Sequence, residues 1–297
     1  MNGLNGIIAA AITPFDEQEQ FRPSSYRALL ARLYRAGVNG VYVCGQTGEG
    51  LLQTVEQRKG VAECAMEHSP RDKQVIVHVG AHRTADAVAL ARHASGAGVS
   101  AVSALPPAGA YTFEEIQRYY QEIAEASQVP VLVYYFPEVC PGIRTTDQLL
   151  ELCGIPNVVG LKFTDFDLFR MRLIKQTGAL IFNGRDEVLV AGLLMGADGG
   201  IGTFYNIVPE LFVEVYEHAR RGDWMAAREV QDRINRIIQI TLRYPLFPAI
   251  KQILLWSGID CGPCIRPRGH LTEAQTEGLR HDLDAAGVTF DCAVTQG

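Results

Sequence analysis

Lys162 sits where a charge is poorly tolerated. It lies in the apolar run NVVGLKF at 157–163, and an ammonium group is costly to bury there. Burial lowers a lysine pKa because the charged form loses most solvation. A neutral amine can attack a ketone and form a Schiff base. The alternative is a lysine at a strand end that snorkels to solvent. In the run VPVLVYYFP at 129–137, Tyr134 could shuttle a proton beside that amine. Tyr135 is its rival. Strand alternation sends the two to opposite faces, so only one points inward.

Other polar residues cluster where apolar runs end. Gly45-Gln46-Thr47-Gly48-Glu49 offers small residues and exposed N–H groups, a turn that can hold a carboxylate. Asn183-Gly184-Arg185-Asp186-Glu187 places two adjacent carboxylates after another run. They could accept bonds from sugar hydroxyls, or cap the following helix. Gly199–Gly202 permits either close approach of a ligand or tight packing. His78 and His82 flank a further run, within reach of a substrate. Cys261-Gly262-Pro263-Cys264 spells a redox C-x-x-C, but in helical surroundings rather than after a strand. With His270 it lacks a fourth zinc ligand at a fitting spacing.

These residues need a scaffold that brings strand ends together. Apolar runs fall at 6–13, 40–45, 74–80, 99–106, 129–137, 157–163, 179–184 and 199–203. Their continuity predicts strands buried on both faces, as in a parallel sheet. Segments of helical spacing lie between them, such as 25–35 and 85–97. Thr54, Thr84 and Thr112 read as helix caps. Eight such units predict an α/β fold, a (β/α)8 TIM barrel with chemistry at the C-terminal strand ends. After about residue 205 the pattern turns helical, at 208–220, 223–242, 246–257 and 272–286. The expected division is a barrel over 1–221 and a helical C-terminal extension over 222–297, packed as one structural domain.

Composition narrows the partners. The chain has 297 residues, is 47% hydrophobic and 20% charged, and has a net charge of −6. No basic run suggests nucleic acid, and no segment is long and apolar enough to predict a membrane span. Residues 1–13 carry no basic signal-peptide region. Seven cysteines, an odd number, predict reduced thiols in a cytoplasmic protein. No G-x-G-x-x-G follows the first run, so a dinucleotide fold is not expected.

In combination these motifs resemble the family of pyruvate-dependent class I aldolases and lyases that includes N-acetylneuraminate lyase and dihydrodipicolinate synthase. They are G-x-T-G-E at 45–49, Y-x-x-P at 134–137, G-L-K at 160–162 and G-x-G-x-x-Y-N at 200–206. The resemblance covers nearly the whole chain. It implies that Lys162 is the Schiff-base lysine and Tyr134 the proton relay. It further implies that Thr47 and the neighbouring backbone form the pyruvate-carboxylate clamp, with Gln46 a substrate-binding position beside it, and that Ile201 lines the pyruvate pocket. Gly184, Asp186 and Glu187 resemble the G-x-D-E of sialic acid lyases, with Thr164 and Thr203 as further hydroxyl contacts. The implied partners are pyruvate and an aldehyde, the implied cofactor is none beyond the imine on Lys162, and the implied assembly is a homotetramer.

The departures are specific. Gln46 replaces a Ser or Thr that bonds the tyrosine. The 106–111 loop lacks the tyrosine pair that reaches a neighbouring subunit. Val139 stands where dihydrodipicolinate synthases carry an arginine. The expected function is therefore an N-acetylneuraminate-lyase-like carbon–carbon lyase acting on a sugar-derived 2-keto acid. The alternatives are a dihydrodipicolinate synthase, a 2-keto-3-deoxy sugar acid aldolase or dehydratase, a non-catalytic pyruvate-pocket sensor, and a redox protein using Cys261 and Cys264.

Overall fold

The computed structural model describes residues 3–290. Each apolar run forms a strand shorter than the run itself. The strands are β1 Gly6–Ala10, β2 Gly40–Val43, β3 Gln74–His78, β4 Ala101–Ala104, β5 Val131–Tyr135, β6 Val158–Phe163, β7 Leu180–Asn183 and β8 Gly199–Gly202. All pair in parallel, each with its sequence neighbour, and β8 closes on β1. This is a (β/α)8 barrel. The residues trimmed from the strand ends become the loops that carry polar groups.

The helices between strands are α1 Pro23–Arg35, α2 Val55–His68, α3 Thr84–Gly96, α4 Phe113–Ala126, α5 Thr146–Cys153, α6 Leu168–Lys175, α7 Leu189–Leu194 and α8 Pro209–Arg220. Thr54 accepts from Gln57 N, and Thr112 forms a full capping box with Glu115. Such caps contribute about 1 kcal/mol each. Thr84 does not cap. It lies inside α3, and Arg83 occupies the cap position without a side-chain bond.

Three helices follow: α9 Trp224–Thr241, α10 Leu246–Trp256 and α11 Glu273–Ala285. Asp223 caps α9 through Ala226 N. No helix among the described residues is long and apolar enough to cross a membrane. The extension is keyed to the barrel by charge. Glu49, fully buried after β2, pairs with Lys251 Nζ at 2.9 Å and Arg268 at 3.3 Å, and accepts from Ile265 N at 2.9 Å. Lys251 also donates to the Pro263 carbonyl at 2.6 Å. Helix α10 thus fixes the turn that follows β2.

Strand alternation splits the core in two. Ile7, Val41, Val75, Val133, Tyr135, Leu161, Phe163 and Ile181 face the helices. Ile8, Tyr42, Ile76, Leu132, Tyr134, Phe182 and Ile201 fill the barrel interior. One irregularity sets the site. Between β5 and β6 the register skips Val159, so Val131 pairs Val158 but Leu132 pairs Gly160. Gly160 lies so close to β7 that a Cβ there would sit 1.9 Å from the Leu180 carbonyl oxygen. The skip places Lys162 directly beside Tyr134 on the inward face.

Candidate active site

The barrel brings the predicted residues together at its C-terminal end. A cavity of about 260 Å³ is lined by Gln46, Thr47, Tyr134, Phe136, Lys162, Thr164, Gly184, Arg185, Asp186, Glu187, Ile201 and Thr203. Ile238, Leu242, Leu246 and Phe247 from α9, α10 and the turn between them complete its wall.

Lys162 does not snorkel; it is 4% exposed. Its Nζ lies 4.0 Å from the Tyr134 ring centroid and 4.3 Å from that of Tyr42. Burial pulls its pKa down to about 7, while the nearby Asp186 charge opposes the fall. About half the lysine is then a neutral amine at neutral pH, against roughly one part in 3,000 for an exposed lysine.

Tyr134 is the inward tyrosine. Burial pushes its phenol well above the usual tyrosine range, with the Thr164 hydroxyl and the Arg185 charge acting the other way. It therefore stands as a neutral phenol. Tyr135 faces the helices, where its hydroxyl accepts from Arg170 Nη1. The Gln46 side chain makes no hydrogen bond among the described residues, and its carbonyl accepts from Arg268 at 3.4 Å. Thr47 Oγ1 meets Thr203 Oγ1 at 2.7 Å, joining the ends of β2 and β8. The N–H groups of Thr47 and Gly48 have no protein acceptor among the described residues.

Asp186 lines the cavity but departs from the helix-capping reading of the sequence. It does not cap the helix after β7. Its Oδ2 accepts from Phe204 N at 2.8 Å, capping the turn after β8 instead. Its Oδ1 is buried without a hydrogen-bond partner among the described residues. Burial pushes its pKa up to about 7, against the lowering effect of the Phe204 N–H bond. Gly202 makes the contact possible, since a Cβ there would lie 1.9 Å from Oδ1. Gln231 and Asn235 of α9 hold the Asp186 and Glu187 carbonyls. Gly184 lines the cavity because a Cβ would strike Thr164 Oγ1 at 2.0 Å.

Tyr42, unassigned in the sequence, and His78, expected within reach of a substrate, are outside the cavity wall and pack edge-on against Tyr134. Tyr42 donates to Ser103 Oγ at 3.1 Å. Leu105 N–H donates to His78 Nε2 at 3.0 Å, so the ring proton resides on Nδ1 and meets the Cys44 carbonyl at 3.1 Å. Burial, with the Arg58 and Lys162 charges, holds the His78 pKa well below 6.5. A neutral ring adds no further charge beneath Lys162. Period-2 alternation could have placed both inside, since β2 and β3 are regular strands. His82 is exposed and outside the cavity.

The remaining sequence features have structural roles. Cys261 and Cys264 are both free and buried. Burial pushes their thiols up, to about 12 and about 11, which opposes redox reactivity. No group of three or more His, Cys, Asp or Glu among the described residues could hold a metal ion. Val139 packs against the barrel-interior cluster. Tyr111, 40% exposed, is not part of the cavity wall.

The chain is similar to known proteins over nearly its whole length. The chain is 37% identical over 281 residues to the N-acetylneuraminate lyase of Rhizobium meliloti (strain 1021), covering 93% of each chain. It is 34% identical over 282 residues to that of Escherichia coli (strain SE11), covering 93% of this chain and 95% of the relative. A solved structure of the wild-type Ruminococcus gnavus sialic acid aldolase superposes with a TM-score of 0.91 at 30% identity, covering 95% and 97%. The family model described as Dihydrodipicolinate synthetase family matches residues 3–286. The chain therefore belongs to the dihydrodipicolinate synthetase family, as a carbon–carbon lyase of the N-acetylneuraminate-lyase-like kind.

Proposed function

We propose that Lys162 forms an imine with the keto carbon of pyruvate, or of a sugar-derived 2-keto acid that the enzyme cleaves to pyruvate and an aldehyde. The observation that carries this is the buried, half-neutral Lys162 amine in a cavity that Thr47 also lines, with the N–H groups of Thr47 and Gly48 unengaged. Those N–H groups suit the carboxylate next to the keto carbon. Nζ attacks the ketone, the Tyr134 phenol gives its proton to the departing hydroxyl so that water leaves, and a protonated imine results. In cleavage, the hydroxyl two carbons from the imine gives its proton to the Tyr134 oxygen, the C–C bond electrons enter the iminium, and an enamine and an aldehyde form. Protonation and hydrolysis of the enamine then release pyruvate. In condensation, the Tyr134 phenol gives its proton to the aldehyde oxygen as the C–C bond forms. Its raised pKa keeps that proton in place until the oxygen becomes basic.

Asp186 Oδ1, Glu187, Thr164 and Thr203 stand beside this path and suit hydroxyl groups of the aldehyde portion. No separate cofactor takes part in this scheme. N-acetylneuraminate is the first cleavage substrate to test, because two similar proteins are N-acetylneuraminate lyases. A tetrameric assembly and a cytoplasmic setting belong to the same proposal; the free state of all six described cysteines favours the second.

The test is reductive trapping. The protein is incubated with pyruvate and borohydride, and the adduct is mapped by mass spectrometry. An adduct at Lys162 is expected, with a trapping rate that rises with pH through about 7. No adduct at Lys162 would sink the proposal.

A further inference from the structure

Arg185 is the one cavity-wall cation besides Lys162 among the described residues, and the hydroxyl-binding scheme above gives it no task. It follows β7, and its side chain is 14% exposed. The guanidinium lies 5.3 Å from the Phe136 ring centroid and 4.4 Å from that of Phe166. These rings fix its plane, as aromatic faces do for arginine. Phe136 in turn stacks on Tyr134, with centroids 6.1 Å apart and planes 16° apart. A continuous aromatic wall thus leads from the Lys162 amine out to the Arg185 fork. The Arg185 charge reaches the Tyr134 phenol electrostatically and partly opposes the upward push of burial on its pKa.

The fork is only partly used. Nε is buried and has no acceptor among the described residues. Nη2 pairs with Glu138, the residue after Pro137, whose side chain is 62% exposed. An exposed partner of this kind contributes little and exchanges readily. A carboxylate is therefore already the group that meets this guanidinium, and it comes from a loop at the rim of the cavity.

We propose that Arg185 is a specificity-determining residue that binds a carboxylate at the end of the substrate remote from the keto group. The preferred aldehyde is then a hydroxylated one carrying its own carboxylate, and the condensed product is a 2-keto diacid. The inference rests on the imine reading above. Its bond changes are those of that reading: the pyruvate methyl carbon loses a proton to give the enamine and joins the aldehyde carbon, the aldehyde oxygen gains a proton, and the carboxylate is a spectator. Glu138 occupies the fork when no such substrate is bound, and competes with it.

The test compares matched aldehydes in condensation with pyruvate: glyceraldehyde against tartronate semialdehyde, and mannose against mannuronate. Within at least one pair, kcat/KM for the acid is expected to exceed that for the neutral member about tenfold or more, the effect of one charge-assisted contact. Arg185→Gln should bring that ratio down to near one, largely through KM. Glu138→Gln should raise it by removing the competing carboxylate. Neutral aldehydes favoured in both pairs, or a ratio unmoved by Arg185→Gln, would overturn the inference. Borohydride trapping of pyruvate is run alongside. Trapping at Lys162 without acid preference overturns only the role of Arg185, whereas loss of trapping in the unaltered protein overturns the imine reading itself.

Discussion

The amine that makes Lys162 useful should also cost the fold stability, and the cost can be measured. Burial lowers its pKa from 10.5 to about 7. Between these values the unfolded chain binds a proton that the folded chain does not. Stability must therefore rise with pH across this window. The penalty relative to a side chain that never charges is about 4 kcal/mol at pH 7 and about 1 kcal/mol at pH 10. Lys162→Met keeps an unbranched side chain one atom shorter and removes the titration. Asp186 opposes the gain. Without the ammonium its own pKa, already pushed up to about 7 by burial, goes higher and its carboxylate loses a favourable neighbour. The net expectation is roughly 2–4 kcal/mol of added stability at pH 7, shrinking to about 1 kcal/mol or less at pH 10. Thermal or urea unfolding of the variant and its parent at several pH values reads the difference directly. A variant no more stable than its parent at pH 7, or a gain independent of pH, would refute the reasoning.

Three other variants probe the rest of the site. Tyr134→Phe leaves the ring beside Lys162 but removes the proton, so pyruvate trapping should persist while kcat for cleavage falls about 10²–10⁴-fold; steady-state kinetics with parallel trapping measures both. Glu49→Gln strands the buried Lys251 ammonium and should cost about 3 kcal/mol in unfolding experiments. It should also raise KM for pyruvate, because the turn bearing Thr47 loses its anchor to α10. Replacing Cys261 and Cys264 together by alanine should leave turnover within about twofold, and both thiols in the native protein should resist a thiol reagent until it unfolds.

Part of the site was legible because its signal is local. Lys162 stands out as a charge in an apolar run. Tyr134 and Tyr135 could be separated only into opposite faces, since alternation gives parity and not direction. Arg185 was visible as a residue after β7, but nothing near it in the chain announces Phe136 and Phe166 as its platform. The capping reading of Asp186 failed because a helix lay next in sequence, while its actual partner, Phe204 N, lies across a strand pair.

The sequence by itself determined the repeating strand-and-helix pattern, the caps at Thr54 and Thr112, and the lysine whose surroundings are apolar. These depend on neighbours within a few residues, where periodicity and capping operate. Tertiary structure decided which face turns inward, through the skipped Val159 that aligns Lys162 with Tyr134. It also brought Thr47 to Thr203 and Glu49 to Lys251, contacts between residues far apart in the chain. Barrel closure makes those contacts, and with them the desolvation that sets the charge on Lys162. Desolvation is a property of everything packed around a group, so no single stretch of sequence records it.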